Sequence, residues 1–136
     1  MKIIIPFLTL LIFATTVNAD NNLLGTWKDK SESSSHKYEF KKDHDFLYTY
    51  TWNNKGKMQS HVVKGVWETG SWTVTSSRGT ETECTLTIYA GTAQCCFEYK
   101  FIADNLIITK RYETNSYAGM CDNRVLIKES KKKSGK

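Results

Sequence analysis

The chain of 136 residues carries 19 lysines and arginines against 14 aspartates and glutamates, which gives a formal net charge of +5. This length suits one domain with its own hydrophobic core and argues against a second domain. Four of the lysines fall in the last seven residues, so the rest of the chain is close to neutral. We therefore expect no nucleic-acid partner, because proteins that bind nucleic acids carry a broad basic surface and a nearly neutral domain does not.

Residues 1–19 have the layout of a secretory signal peptide. Lys2 precedes an apolar run from Ile3 to Phe13, and the small residue Ala19 ends the segment. The run is shorter than the roughly 20 apolar residues that cross a bilayer, so a membrane anchor is disfavoured. We therefore expect a secreted or periplasmic protein that begins at Asp20 after cleavage and has no transmembrane segment.

The remaining chain divides into one folded domain and a short tail. Residues 20–129 contain nearly all of the apolar and aromatic side chains that follow the leader. Residues 130–136 contain the four terminal lysines, and runs of like charge repel and stay solvated. The sequence thus predicts a single domain over 20–129 and a disordered basic tail over 130–136.

The domain is predicted to contain about nine short strands and no helix, because apolar and polar residues alternate between clusters of turn-forming residues. The predicted strands are 23–30, 36–41, 46–52, 57–68, 71–75, 82–89, 94–103, 106–112 and 120–128. Asn53–Gly56 has the composition of a hairpin turn, and Gly65 suggests a bulge or bend. Short connections favour an all-β, antiparallel up-and-down barrel of about eight to nine strands.

The four cysteines predict two disulfides, since an even number in an exported chain is normally oxidised in pairs. They are Cys84, Cys95, Cys96 and Cys121. A zinc site is not expected, because neighbouring residues on a strand point to opposite faces and no Cys-x-x-Cys pair is present. A bond between the adjacent pair would be strained, so one of these two cysteines is expected to reach Cys84 and the other Cys121.

The sequence does not decide whether Cys84 pairs with Cys95 or with Cys96, because two arguments about the strand register disagree. A three-residue turn at 89–91 would place Cys84 opposite Cys96. The alternation of core residues instead requires Leu86 and Ile88 to share a face with Phe97, which shifts the register by one residue.

The first predicted strand contains Leu23-Leu24-Gly25-Thr26-Trp27, and this pattern resembles the first strand of lipocalins and related calycins, above all the compact bacterial lipocalin-like domains. The resemblance implies an eight-stranded barrel in which Trp27 closes one end and Arg124, on the last strand, packs across the indole. Gly25 would let the first strand bend over that end. The resemblance also implies that a small, partly apolar ligand binds inside the barrel. We expect no counterpart of the helix that follows the barrel in that group.

Two aromatic stripes are the candidate walls of such a ligand site. They consist of Phe46, Tyr48, Tyr50 and Trp52 on one strand, and of Phe97, Tyr99 and Phe101 on another. Aromatic walls with a few hydroxyl groups suit a small ligand. The same side chains could instead fill the barrel completely, as happens in small barrels. The sequence leaves both possibilities open.

Nothing in the sequence indicates catalysis, so we expect neither an enzyme nor a cofactor or metal. His36 and His61 fall on separate predicted strands, and His44 lies between two aspartates in a predicted turn. The leading hypothesis is an exported protein that binds a small hydrophobic molecule. The alternative is a protein-binding module, such as an inhibitor of a hydrolase, acting through loops 31–35, 76–81 and 113–119. A third hypothesis is glycan binding through Trp52, Trp67 or Trp72.

Overall fold

Eight antiparallel strands form a closed ring in the computed structural model, which describes residues 20–29, 34–75, 77–115 and 119–129. The strands are β1 (Gly25–Lys28), β2 (Ser34–Phe40), β3 (Asp45–Asn54), β4 (Lys57–Thr75), β5 (Glu81–Ala90), β6 (Ala93–Ile102), β7 (Asn105–Thr114) and β8 (Arg124–Lys128). Each strand pairs with the next, and β8 pairs with β1. The predicted all-β, up-and-down barrel is confirmed.

Short 3-10 turns at Asn21–Leu23 and Lys42–His44 are the only helical elements in the described residues. Neither could cross a membrane, and none of the described helices is long and apolar enough to do so. The predicted signal peptide (1–19) and tail (130–136) lie outside the described residues.

The strand count is eight because the predicted strands 57–68 and 71–75 are one strand, β4. The prediction of a turn at Thr69-Gly70 is wrong. At this point the pairing with β5 shifts register between Thr69 and Trp72, and Gly70 has a φ of +153°. A bulge that contains a glycine absorbs the irregularity without ending the strand, since glycine has no Cβ to oppose this φ.

Strand β4 also changes partners near Gly65. Its first half, up to Val66, pairs with β3, and its second half, from Val66 onward, pairs with β5. A Cβ on Gly65 would lie only 2.1 Å from the carbonyl oxygen of Tyr89 on β5. At Gly65, where the sequence predicted a bulge or bend, the backbones of β4 and β5 therefore approach each other very closely.

The interior of the ring is packed with side chains of the described strands. Six aromatic residues have 2 % or less of their surface exposed, namely Tyr38, Phe40, Phe46, Tyr48, Trp67 and Phe97. Leu86, Ile88, Leu106, Ile108 and Met120 fill the space between them. Tightly interdigitated cores of this kind hold few voids larger than a water molecule.

The disulfides join Cys84 to Cys96 and Cys95 to Cys121, with Cα–Cα distances of 5.4 and 5.1 Å. This confirms that each of the adjacent cysteines has a different partner. The β5–β6 ladder places Leu86 opposite Phe97, so these core residues share a face as the alternation predicts, but the register differs from that of the three-residue turn by three residues and not by one. The predicted three-residue turn is wrong, because the ladder continues to Ala90 and Ala93 and leaves a two-residue connection.

Candidate binding groove

Residues 20–24, which precede β1, are hydrogen-bonded to one end of the barrel, and we call this end the base. The Asp20 carboxylate accepts a hydrogen bond of 2.6 Å from the Tyr99 hydroxyl, and the Asp20 N–H donates to Thr69 Oγ1 at 3.1 Å. Leu23 is fully buried, and its carbonyl accepts the indole N–H of Trp27 at 2.8 Å. These bonds fix the direction in which the chain enters β1.

A groove of about 930 Å³ lies between this segment, the β6–β7 turn and the end of β8. Its apolar lining comes from Leu24, Trp27, Phe101 and Ala103, and its polar groups from Asn22, Asp104, Lys128 and Glu129. The volume falls in the range of roughly 300–1,000 Å³ that small-molecule sites occupy. We name this concavity the base groove.

Two aromatic rings form the apolar centre of the base groove. The ring centroids of Trp27 and Phe101 are 5.9 Å apart and the planes are tilted by 39°. Trp27 is almost wholly buried, whereas Phe101 exposes 37 % of its surface. An exposed phenyl ring next to a tryptophan offers apolar surface to a ligand at little cost in rearrangement.

Lys128 lies across the face of Trp27, with Nζ 5.5 Å from the ring centroid. Its side chain passes directly over Gly25, where a Cβ would lie 2.8 Å from Lys128 Cε. Gly25 also has a φ of +128°, which L side chains rarely adopt. The glycine of the Gly-x-Trp pattern therefore makes room for a cation on the indole, an arrangement favoured by the negative ring face.

Arg124, four residues earlier on β8, makes its described contacts away from the indole. The guanidinium donates to the Asp29 carboxylate at 2.9 Å, to the Tyr38 hydroxyl at 3.1 Å and to the Gly119 carbonyl at 2.8 Å. The cation found over the Trp27 ring is that of Lys128. The role of Arg124 as a seal across Trp27 stays a prediction.

His36 on β2 and Tyr48 on β3 form a buried polar pair. Nδ1 of His36 lies 2.6 Å from the Tyr48 hydroxyl. Burial raises the pKa of Tyr48, so the hydroxyl keeps its proton. Burial, followed by the nearby Arg124 charge, lowers the pKa of His36, against the opposing effects of Asp29 and Asp122. His36 is therefore neutral at pH 7.

We expect the stability of the protein to fall in acid because of His36. Its pKa lies below the ordinary value of 6.5, so the unfolded chain binds this proton more readily than the folded chain. The contribution of His36 is complete above pH 6.5 and is lost as the pH falls below it, by at most about 1.4 kcal/mol per pH unit. Urea unfolding at pH 7.5, 6 and 5 measures the loss.

The His36→Gln variant should lose less stability than the parent protein over this range, because glutamine does not titrate. His61→Gln, on an exposed side chain, is the matched control and should leave the pH dependence as it is. A parent-like pH dependence in His36→Gln would contradict the assignment.

Five of the seven predicted ligand-lining residues belong to the hydrophobic core or pack against it, namely Phe46, Tyr48, Tyr50, Phe97 and Tyr99. Phe46, Tyr48 and Phe97 are buried in the core, and Tyr50, Trp52 and Tyr99 are partly buried. Tyr50 stacks between His36 and Trp52, at centroid distances of 4.8 and 5.1 Å. Of the seven, Phe101 alone is among the residues that line the base groove.

The other residues of the base groove carry no direct signal in the sequence. Leu24 and Gly25 lie in the Leu-Leu-Gly-Thr-Trp pattern of the first strand, but Asp104, Lys128 and Glu129 reach the site through the pairing of β8 with β1 and through the β6–β7 turn. That pairing brings Lys128 opposite Trp27. A predicted barrel in which β8 pairs with β1 and Trp27 lies opposite Lys128 would have placed this lysine in the base groove.

Among the described residues, no group of three or more histidine, cysteine or acidic side chains is arranged so that it could hold a metal ion. His44 instead bonds through Nδ1 to the carbonyl of Trp67 at 2.8 Å. Loop 31–35 and loop 113–119 lie partly outside the described residues, as does residue 76 of loop 76–81.

Comparison of the chain with protein-family models, with curated proteins and with solved structures found no match.

Proposed function

We propose that the chain is an exported binding protein of lipocalin-like type that holds a small, partly apolar ligand in the base groove. The closed ring of eight strands and the position of Trp27 on β1 support the lipocalin-like assignment. Two disulfides support export, because they persist in oxidising compartments. The residues that precede Asp20 supply the signal peptide in this proposal.

The observation that carries the proposal is the base groove itself. It combines a volume of about 930 Å³ with an aromatic centre and a few charged or amide groups at its edge. This composition is the usual one for small-molecule sites. The packed interior favours the groove over the lumen as the place of binding, since the aromatic side chains already occupy the lumen.

Binding can be tested with N-phenyl-1-naphthylamine, a neutral apolar dye that fluoresces when it leaves water. We expect saturable binding to the mature protein and a loss of about tenfold in affinity for Phe101→Ser, because the exposed ring supplies apolar contact of roughly 1–2 kcal/mol. Ile102→Ser is the matched control. Ile102 is the next residue and is 51 % exposed, but it does not line the groove.

The control variant should bind the dye as the parent does, and thermal unfolding should show both variants folded. Equal dye affinity in the parent and in Phe101→Ser would place the binding elsewhere. A parent protein that shows no saturable binding of the dye would contradict the proposal.

The alternative, a protein-binding module such as an exported hydrolase inhibitor, is supported by the packed interior and by exposed apolar residues on β8. Val125 and Ile127 expose 54 % and 37 % of their surfaces. Inhibition of a panel of secreted hydrolases by the parent, abolished by Val125→Asp and retained by Phe101→Ser, would favour this function over the groove.

A further inference from the structure

We infer that the ligand of the base groove carries an anionic head group and that Lys128 selects it. This inference rests on the proposed function, since it concerns the same groove. It adds the chemical class of the ligand, an anionic amphiphile such as a medium-chain carboxylate, and it assigns the residue that distinguishes this class from neutral and cationic relatives.

The Lys128 ammonium lies beside the Trp27 ring. The side chain rests on Gly25, and Nζ lies 5.5 Å from the centroid of the Trp27 ring. Backbone pairing of Trp27 with Lys128 sets this placement. The cation therefore lies beside the apolar centre of the groove, where a ligand that contacts the exposed ring of Phe101 would meet it.

Within the part of the chain that the structure describes, Lys128 belongs to none of the ion pairs shorter than 4.0 Å. The neighbouring Glu129 is paired with Lys28 at 3.8 Å. A weak contact with an aromatic face leaves the ammonium free to form a charge-assisted hydrogen bond with an incoming anion.

Two carboxylates also line the groove: Glu129, which is paired with Lys28 at 3.8 Å, and Asp104. This aspartate lies in the exposed β6–β7 turn, on the same side of the groove as Phe101 and Ala103. Its carboxylate would repel an anion placed at the turn. The head group is therefore expected on the β8 side, at Lys128, with the apolar body extending toward the exposed ring of Phe101.

The test compares three ligands that share a ten-carbon chain and differ in the head group: decanoate, 1-decanol and decyltrimethylammonium. Each displaces N-phenyl-1-naphthylamine from the mature protein at pH 7.5, below its micelle concentration. We expect decanoate to bind about fivefold more tightly than decanol, the size of effect that a partly exposed ion pair supports. Decyltrimethylammonium should bind most weakly.

Two substitutions of Lys128 separate charge from packing. Lys128→Met keeps an unbranched stem over Gly25 and should remove the preference for decanoate over decanol, with the affinity for decanol retained. Lys128→Glu should reverse the order, so that decyltrimethylammonium binds better than decanoate. Lys100→Met is the matched control, since Lys100 is an exposed residue of β6 that does not line the groove.

The outcomes distinguish the inference from the proposed function. Equal affinities for the three ligands, or an unchanged decanoate preference in Lys128→Met, would overturn the inference while the groove remains the ligand site. Failure of the dye and of all three ligands to bind the parent would overturn both. If Lys128→Glu does not fold, the Lys128→Met comparison decides the matter alone.

Discussion

Replacing Gly65 with alanine is expected to lower the free energy of unfolding by about 3 kcal/mol, the upper part of the range for overpacked cores. The added Cβ would lie 2.1 Å from the Tyr89 carbonyl oxygen and 2.9 Å from Ala90 Cβ. Both neighbours belong to β5, whose pairing with β4 begins at this point, so relief requires breaking the Val66–Tyr89 step of the ladder. Urea unfolding followed by tryptophan fluorescence measures the loss.

Gly56→Ala is the control for the loss of glycine flexibility alone. Gly56 has a φ of +87° in the β3–β4 turn, and a Cβ there would meet no atom within 4 Å. This variant should cost about 1 kcal/mol, the price of a positive φ for an L residue. Equal losses in Gly56→Ala and Gly65→Ala would contradict the close approach of β4 to β5.

Arg124→Met is expected to destabilise the protein by about 3 kcal/mol, because removing one member of a buried ion pair leaves the other charge uncompensated. The side chains of Arg124 and Asp29 are only 12 % and 13 % exposed, and their N–O distance is 2.9 Å. The substitution also removes the donors to the Tyr38 hydroxyl and the Gly119 carbonyl. Chemical unfolding at pH 7 provides the measurement.

Two further variants test the cause of that loss. Arg111→Met removes an exposed pair with Glu98 at 3.8 Å and should change the stability by less than about 0.5 kcal/mol. Asp29→Asn placed in the Arg124→Met background should recover part of the stability, because it removes the isolated carboxylate. A loss in Arg124→Met no larger than in Arg111→Met would refute the buried pair.

The sequence predicted the architecture well because alternation of apolar and polar residues is a local signal. The stripe from Phe46 to Trp52 and the alternation from Cys95 to Phe101 identify strands without reference to the rest of the fold. The error at Thr69-Gly70 arose because a glycine beside a polar residue is equally compatible with a turn and with a bulge inside a long strand. Only the pairing of both halves of β4 distinguishes them.

The candidate site was harder to predict, since it depends on contacts between distant segments. Phe46, Tyr48 and Phe97 share the pattern of ligand-lining residues, yet the ring is narrow enough for them to fill it. Lys128 looks like any surface lysine at the end of a strand until β8 is paired with β1. The two disulfide arrangements likewise differed only in long-range pairing, which the alternation of core residues constrains indirectly.

The pairing of Trp27 with Lys128 joins the first strand of the barrel to the last. Contacts between such distant parts of a chain require closure of a long loop, and they form late and slowly. The base groove takes residues from both ends of the domain, so neither half of the chain contains it alone. Ligand binding should therefore begin only when β1 and β8 have paired.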